Sequence, residues 1–213
     1  MKFFNKVKDW IRLPDNKVAR AYKKVLVVVD TSAFLNEEAA KEIGLLLRLK
    51  NLYVPMGVYG EIQKKLKDIS LGKIERSLAE RVNVISIVLE KMLKRGKWRL
   101  ESSRELGIVP NLRKIEIFQL EGVFQDKIWS LVKKRMPRTY IPIEGNRYQT
   151  YNNCTTLEEL VGIGDLRVIA VALKLQRQKK NRVVLLTRDK MMTLVAESQG
   201  LSVIESLKNY QQD

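Results

Sequence analysis

Four acidic residues lie where the active sites of α/β proteins usually form, at strand ends and on the helices that follow them. Asp30 directly follows the hydrophobic stretch Val25–Val29, and Asp189 follows a second hydrophobic stretch. Glu61 lies in a predicted helix, and Asp165 opens another. Because the carboxyl ends of parallel strands share one edge of a sheet, Asp30 and Asp189 are expected on the same rim. Helices that return from that rim can aim Glu61 and Asp165 at the same point.

Such a group of carboxylates predicts a bound divalent cation. Without a cation the four groups repel one another, and the pKa of at least one is raised. Mg²⁺ and Mn²⁺ prefer oxygen ligands, and Mg²⁺ is commonly bound together with phosphates. Such an ion can activate water and stabilise the charge that develops on a phosphodiester. Taken singly, each acid has a structural alternative. Asp30, Asp165 and Asp189 could cap or favour helix N-termini, and Glu61 could be a solvated surface residue.

The composition narrows the chemistry further. The chain contains no histidine and one cysteine, Cys154, among its 213 residues. This excludes Ser-His and Cys-His nucleophilic pairs, nearly all catalytic zinc sites and any internal disulfide. Carboxylates, lysines and metal ions remain as the groups that could carry out catalysis. The single cysteine, the charged N-terminus and the lack of an apolar run of about 18 residues predict a cytoplasmic protein without a transmembrane segment.

The charge is strongly and unevenly positive. A formal net charge of +16 and a pI of about 9.9 predict a polyanionic partner, most commonly nucleic acid. Residues 25–61 carry 3 basic and 5 acidic residues, whereas residues 1–24 carry 8 and 2, and residues 62–164 carry 20 and 12. An acidic centre flanked by phosphate-holding surfaces has this distribution. The alternatives are lysines that merely solvate helix faces, and a membrane surface that binds the basic N-terminus. Phosphate contacts are predicted for the basic residues nearest two of the acids: Arg188, Lys190, Lys64 and Lys65.

The elements that must position these residues alternate between strand and helix. Short hydrophobic runs rich in β-branched residues predict strands buried on both faces, and longer runs with helical periodicity predict helices. The alternation predicts an α/β fold with a parallel central sheet. Strands are predicted at 25–29, 52–54, 182–186 and 201–204, and helices at 34–49, 56–67, 156–178 (broken around Gly162 and Gly164) and 191–198.

Three regions follow from this pattern. Residues 1–24 form a basic arm, predicted to dock on the core through a short amphipathic helix or to contact nucleic acid. Residues 25–66 and 155–213 form the α/β core, and residues 67–154 a helical insertion. Apolar residues at steps of three and four predict an insertion helix between Leu71 and Met92, and a second is predicted around 120–131. The proline-containing stretch 135–153 is predicted to be a loop.

Four segments resemble a known family, the PIN domain. They are VLVVVDTSAFL, VPMGVYGEI, GIGDLRVIAVAL and VVLLTRDKMMTLVAESQGLSVI, within the blocks 25–66 and 160–205. The resemblance implies a three-layer Rossmann-like fold and an endoribonuclease that uses Mg²⁺ or Mn²⁺. It assigns catalysis and metal binding to Asp30, Glu61, Asp165 and Asp189. It also implies that Thr31, Ser32 and Thr187 orient the carboxylates or metal-bound water.

The spacing departs from that of a compact PIN domain. Glu61 and Asp165 are 104 positions apart, which indicates a helical excursion between them. Such a layout is similar to the small protein-only ribonuclease P branch, whose inserted helices engage tRNA, although no motif inside the insertion assigns the chain to it. The resemblance leaves a homodimer and an inhibitory protein partner open. Two other functions also stay open: a non-catalytic RNA-binding module on the same fold, and a flap-type DNA nuclease.

Overall fold

The structure is a computed structural model, and its elements are named in chain order. The described residues are 22–36, 42–46, 49, 51–96, 99–101, 140–143, 147–150, 157–178 and 182–209. Within them the strands are β1 (Val25–Val29), β2 (Leu52–Pro55), β3 (Arg99–Glu101), β4 (Tyr140–Ile143), β5 (Arg147–Thr150), β6 (Arg182–Leu186) and β7 (Ser202–Ile204). The helices are α1 (Ser32–Leu35), α2 (Ile43–Leu46), α3 (Met56–Ser70), α4 (Arg76–Lys94), α5 (Leu157–Gln178) and α6 (Lys190–Ser198). None of these helices is long and apolar enough to cross a lipid bilayer.

The predicted α/β fold with a parallel central sheet is confirmed. The sheet has the strand order β3-β2-β1-β6-β7, and every neighbouring pair is parallel. All five residues of β1 are buried, as expected for a β-branched run with both faces covered. Strand β6 is buried after its first residue, Arg182, because it neighbours β1.

The strand order reverses at β1, the point of an open α/β sheet where a crevice is expected. The chain builds β2 and β3 on one side of β1, and then β6 and β7 on the other side. Ligands of open α/β sheets bind where the strand order reverses in this way, outside the carboxyl ends of the strands. Val29 pairs with Leu186 in the register of β1 and β6, and the Asp30 N–H donates to the Leu186 carbonyl at 3.0 Å. The end of β1 therefore lies directly beside the end of β6.

Two elements of the predicted insertion lie against the core. Helix α4 places Val82, Ile85 and Leu89 in the main hydrophobic cluster. Strand β3 extends the sheet by pairing with β2, although its sequence, Arg-Leu-Glu, contains no hydrophobic run. The division between core and insertion stays a prediction, and the second predicted insertion helix and the 1–24 arm lie outside the described residues.

Two local predictions were wrong. The stretch 135–153 was predicted to be a loop, but β4 and β5 pair in it as an antiparallel hairpin. Among the residues that the structure describes, β4 pairs only with β5, and an edge strand of this kind tolerates a proline such as Pro142. The predicted continuous helix over 34–49 is also wrong, because α1 ends at Leu35 and the backbone of the next residue, Asn36, is extended (φ −64°, ψ 145°).

Gly162 divides α5 into two segments. Its backbone (φ 83°, ψ 156°) is non-helical and lies in a region that essentially glycine alone occupies. The predicted break around Gly162 and Gly164 is therefore found at Gly162. The second segment carries Asp165, so this kink determines where that carboxylate lies.

Replacing Gly162 with alanine is expected to lower the free energy of unfolding by about 1–3 kcal/mol, because a Cβ is strained in this conformation. Urea denaturation measures the loss. Gly164→Ala is the matched control, since Gly164 does not have a positive φ and an added Cβ meets nothing within 4 Å. The control is expected to keep or raise stability. Equal losses in both variants would contradict a strain specific to Gly162.

Candidate active site

Asp30 is the buried anchor of the site, with 6% of its surface exposed. Its Oδ2 accepts hydrogen bonds from the Ser32 N–H at 3.1 Å, the Ser32 hydroxyl at 2.6 Å and the Thr187 hydroxyl at 3.1 Å. Burial raises the pKa of Asp30, and the hydrogen bonds from Ser32, Thr31 and Thr187 act against that rise. The two bonds from Ser32 and the bond from Thr187 all end on Oδ2, so they fix the orientation of the carboxylate.

The residues after β6 are tied to those after β1. Thr187 is fully buried, donates to Asp30 and accepts from the Asp189 N–H at 3.1 Å. The Ser32 hydroxyl accepts from the Arg188 N–H at 2.9 Å. The chain positions involved are more than 150 residues apart, and parallel pairing of β1 with β6 brings them together. The two strand ends consequently form one hydrogen-bonded unit.

We expect Thr187→Val to cost about 1–3 kcal/mol of stability, because valine keeps the shape of the side chain but leaves the Asp189 N–H without its partner. Thermal or urea unfolding measures this. Thr193→Val is the matched control, since the Asp189 carbonyl that the Thr193 hydroxyl binds also accepts from the Thr193 N–H at 2.9 Å. A loss in the control as large as in Thr187→Val would show that Thr187 does not join the two strand ends.

Glu61 approaches the end of β1 from α3. Its Oε2 accepts from the Thr31 hydroxyl at 2.6 Å, and its Oε1 lies 3.7 Å from Lys65 Nζ one helical turn away. The Lys65 pair is partly exposed and contributes little energy. Thr31 is buried, so the short hydrogen bond to it is the contact that aims Glu61 at the crevice.

Asp189 caps a helix, which was the structural alternative to a catalytic role for this residue. It is the N-cap residue of α6, and its Oδ1 accepts from the Met192 N–H at 2.8 Å. Capping uses one carboxylate oxygen and holds the side chain at the end of β6. The residue is otherwise exposed on the rim.

Asp165 lies where the charges of the other three acids act on it. Its pKa is raised to about 8, first by burial and then by the charges of Asp30, Asp189 and Glu61. Within the described residues no side chain or backbone N–H donates to it, and no lysine or arginine is paired with it. Asp165 is therefore a half-buried carboxylate in the field of three others, and nothing in the described part of the chain offsets its charge.

The donor set fits a divalent cation that shares its coordination with water and substrate. As the side chains stand, no three acidic residues of the described ranges are already placed to hold one ion. Protein donors engage Glu61 through the Thr31 hydroxyl and Asp189 through the Met192 N–H. Mg²⁺, however, usually takes one or two carboxylates and completes its octahedron with waters and phosphates. Asp30 and Asp165 would form such a pair, because the charge of Asp30 is, after burial, the largest cause that raises the pKa of Asp165.

The predicted basic residues differ in their surroundings. Arg188 is half-buried, and its guanidinium donates to Asn36 Oδ1 at 3.3 Å. Lys190 and Lys64 are exposed, whereas Lys65 is held against Glu61. The sequence offered no signal for Asn36, because its contact with Arg188 depends on the pairing of distant strands.

Comparison with known families agrees with this geometry. A family model described as the PIN domain matches residues 27–207, a range that contains all four acids and strands β2, β3, β6 and β7. No curated protein and no solved structure gives a significant match. PIN domains are typically nucleases acting on nucleic acids, and they commonly use Mg²⁺ or Mn²⁺. Since the match spans most of the 213 residues, the chain belongs to the PIN-domain family.

Proposed function

We propose that this protein is an endoribonuclease that hydrolyses RNA phosphodiester bonds with Mg²⁺ or Mn²⁺ held by Asp30, Glu61, Asp165 and Asp189. The influence of the other three carboxylates on Asp165 is the observation that carries the proposal. Burial, and then the charges of the other three carboxylates, raise the pKa of Asp165. No lysine or arginine among the described residues forms an ion pair with it. These carboxylates repel one another near the point where the strand order reverses. We therefore expect a positively charged ligand to bind there.

Hydroxyl side chains orient two of the four carboxylates. Ser32 and Thr187 fix Asp30, and Thr31 fixes Glu61, so these carboxylates do not have to be ordered when substrate binds. When bound, the divalent ion supplies positive charge that stabilises the developing charge on the phosphodiester and activates water. The exclusion of histidine chemistry by composition is consistent with this arrangement, since no step requires an imidazole.

Basic residues on the rim favour a nucleic acid as substrate. Arg188 and Lys190 flank Asp189 at the carboxyl end of β6, and Lys64 follows Glu61 in α3. Phosphate contacts of this kind position a nucleic acid but do not read its sequence. The proposal names RNA because that is the substrate the PIN resemblance implies.

Circular RNA gives the sharpest test of the proposed activity, since it has no ends for an exonuclease. The full chain is incubated with circular RNA and with circular single-stranded DNA of matched sequence, in Mg²⁺, Mn²⁺ or EDTA. We expect the RNA to be opened with either metal and to stay intact in EDTA. Faster opening of the DNA would favour the flap-type alternative. Salt-sensitive binding of RNA without cleavage in any metal would indicate a non-catalytic module.

A further inference from the structure

Helix α3 presents one exposed face that begins at the acidic cluster. The face consists of Gly57, Gly60, Glu61, Lys64 and Lys67, all exposed, while Val58 and Ile62 on the opposite side are buried. At 3.6 residues per turn the five positions fall within a sector of about 120°. We call this surface the α3 face. Its charge changes from the carboxylate of Glu61 to two lysines within two helical turns.

The glycines of the α3 face have no structural explanation within the described residues. Neither Gly57 nor Gly60 has a positive φ, and a Cβ added to either meets nothing within 4 Å. Glycine is also among the poorest helix formers, so these two residues weaken α3. Their common effect is bare helix backbone beside Glu61, where another molecule can approach more closely than any side chain would allow.

The lysines of the α3 face differ from their neighbour Lys65. Lys65 pairs with Glu61 and is partly covered. Lys64 and Lys67 are exposed, and neither forms an ion pair with any residue that the structure describes. They are separated by about 4.5 Å along the helix axis, at 1.5 Å per residue. Two exposed ammonium groups in a row, leading away from the carboxylates, suit consecutive phosphates of one strand.

We infer that a single nucleic-acid strand lies along the α3 face. Its phosphates contact Lys64 and Lys67, its sugar-phosphate backbone passes over the bare helix at Gly57 and Gly60, and the next phosphodiester reaches the carboxylates. A single strand fits better than a duplex because Asp30 is buried and Asp165 is half-buried. A phosphodiester must enter the crevice to reach them, which a flexible strand can do and a stiff duplex cannot. The inference rests on the proposed function for what happens to the strand, but not for its binding.

Salt dependence of binding tests the lysines. Binding of a fluorescent single-stranded RNA to the full chain is measured in EDTA, so that no cleavage occurs, over a range of salt concentrations. Removing two phosphate contacts should reduce the slope of log K against log salt by about 1.4, since each contact on a single strand contributes about 0.7. We expect this for Lys64→Gln/Lys67→Gln. Lys91→Gln/Lys94→Gln removes the same charge from exposed positions on α4 and is expected to keep the slope.

Gly60→Leu tests whether the strand needs the bare helix backbone at Gly60. The substitution should raise stability and weaken binding, so the two effects can be told apart. Leucine is a much better helix former than glycine and its Cβ has open space, so the melting temperature should rise by about 2–4 °C. The same side chain should block the strand and weaken single-strand binding at least about tenfold, with a smaller effect for Gly60→Ala. A more stable Gly60→Leu variant that binds RNA like the parent would overturn the inference.

The outcomes separate this inference from the proposed function. If circular RNA is cut but the Lys64→Gln/Lys67→Gln slope equals that of the α4 control, the strand does not follow the α3 face, and the nuclease proposal stands. If nothing is cut but the slope falls only in the α3 variant, the binding surface stands and the catalytic proposal fails. Equal binding of duplex and single strand by the parent would contradict the choice of a single strand.

Discussion

Asp30→Asn is expected to lower the rate of metal-dependent RNA cleavage by at least about 10²–10³-fold, the loss seen when one preorganised charged or polar group is removed from an active site. The amide oxygen can still accept the hydrogen bonds that Ser32 and Thr187 donate to Asp30 Oδ2, so the strand ends stay joined. The buried charge is lost, and with it the attraction for a cation. Single-turnover cleavage of circular RNA measures the effect.

Glu80→Gln is the control for this variant. Glu80 lies on α4 in an exposed pair with Arg76, outside the acidic cluster, so its loss should leave cleavage unchanged. Circular dichroism and thermal unfolding are the checks that both variants are folded. An Asp30→Asn protein that is folded and cuts RNA at the parental rate would show that Asp30 has no part in the reaction.

Asp165→Asn is expected to stabilise the metal-free protein at alkaline pH while it abolishes cleavage. In the folded chain the pKa of Asp165 is about 8, against an ordinary value of 3.8. At pH values between these two, the folded state holds a proton that the unfolded state has released. The stability of the parent therefore falls as the pH rises toward 8, by linkage between protonation and folding. Asparagine does not titrate, so this part of the pH dependence disappears.

The expected gain is near zero at about pH 4 and about 2 kcal/mol or more at about pH 8, allowing for solvent screening of a half-buried group. Urea denaturation in EDTA over this pH range measures the difference between parent and variant. Added Mg²⁺ should stabilise the parent at alkaline pH much more than the variant, because a cation removes the repulsion that Asp165 experiences. A variant that is no more stable than the parent at any pH would contradict the convergence of the four acids.

The sheet could be predicted because its central strands β1 and β6 are short hydrophobic runs rich in β-branched residues. Val25–Val29 has no polar residue and must be covered on both faces, and Val183–Leu186 repeats the pattern. Parallel strands align their carboxyl ends, so Asp30 and Asp189 could be assigned to one rim without knowledge of the strand order. A contact between the two strand ends could therefore be expected, but the particular hydrogen bond from Thr187 to Asp30 could not.

Other features depend on contacts that local pattern does not encode. Strand β3 pairs with β2 through its backbone, and its charged sequence gives no hydrophobic signal. The β4–β5 hairpin contains Pro142, which argues against a strand unless the strand has a free edge. The break between α1 and α2 follows from the extended backbone of Asn36, although the apolar spacing continues across it.

The residues proposed for the site could be named from the sequence, but their contacts could not. Spacing indicated that Glu61 could reach the rim, while its bonds to Thr31 and Lys65 depend on how α3 packs. Lys64 and Lys65 are adjacent in sequence and seemed equivalent. Helical geometry turns one toward solvent and the other toward Glu61, which separates a residue that can bind phosphate from one that holds a carboxylate.

Anomalous diffraction from crystals of the full chain soaked in Mn²⁺ tests the central claim most directly. The convergence of acidic side chains predicts an anomalous peak in the crevice at the carboxyl ends of β1 and β6, within coordination distance of Asp30 and Asp165. The peak should vanish in crystals of Asp165→Asn. A fully occupied Mn²⁺ elsewhere on the molecule, with the four carboxylates contacting only water or protein donors, would contradict a metal-dependent nuclease.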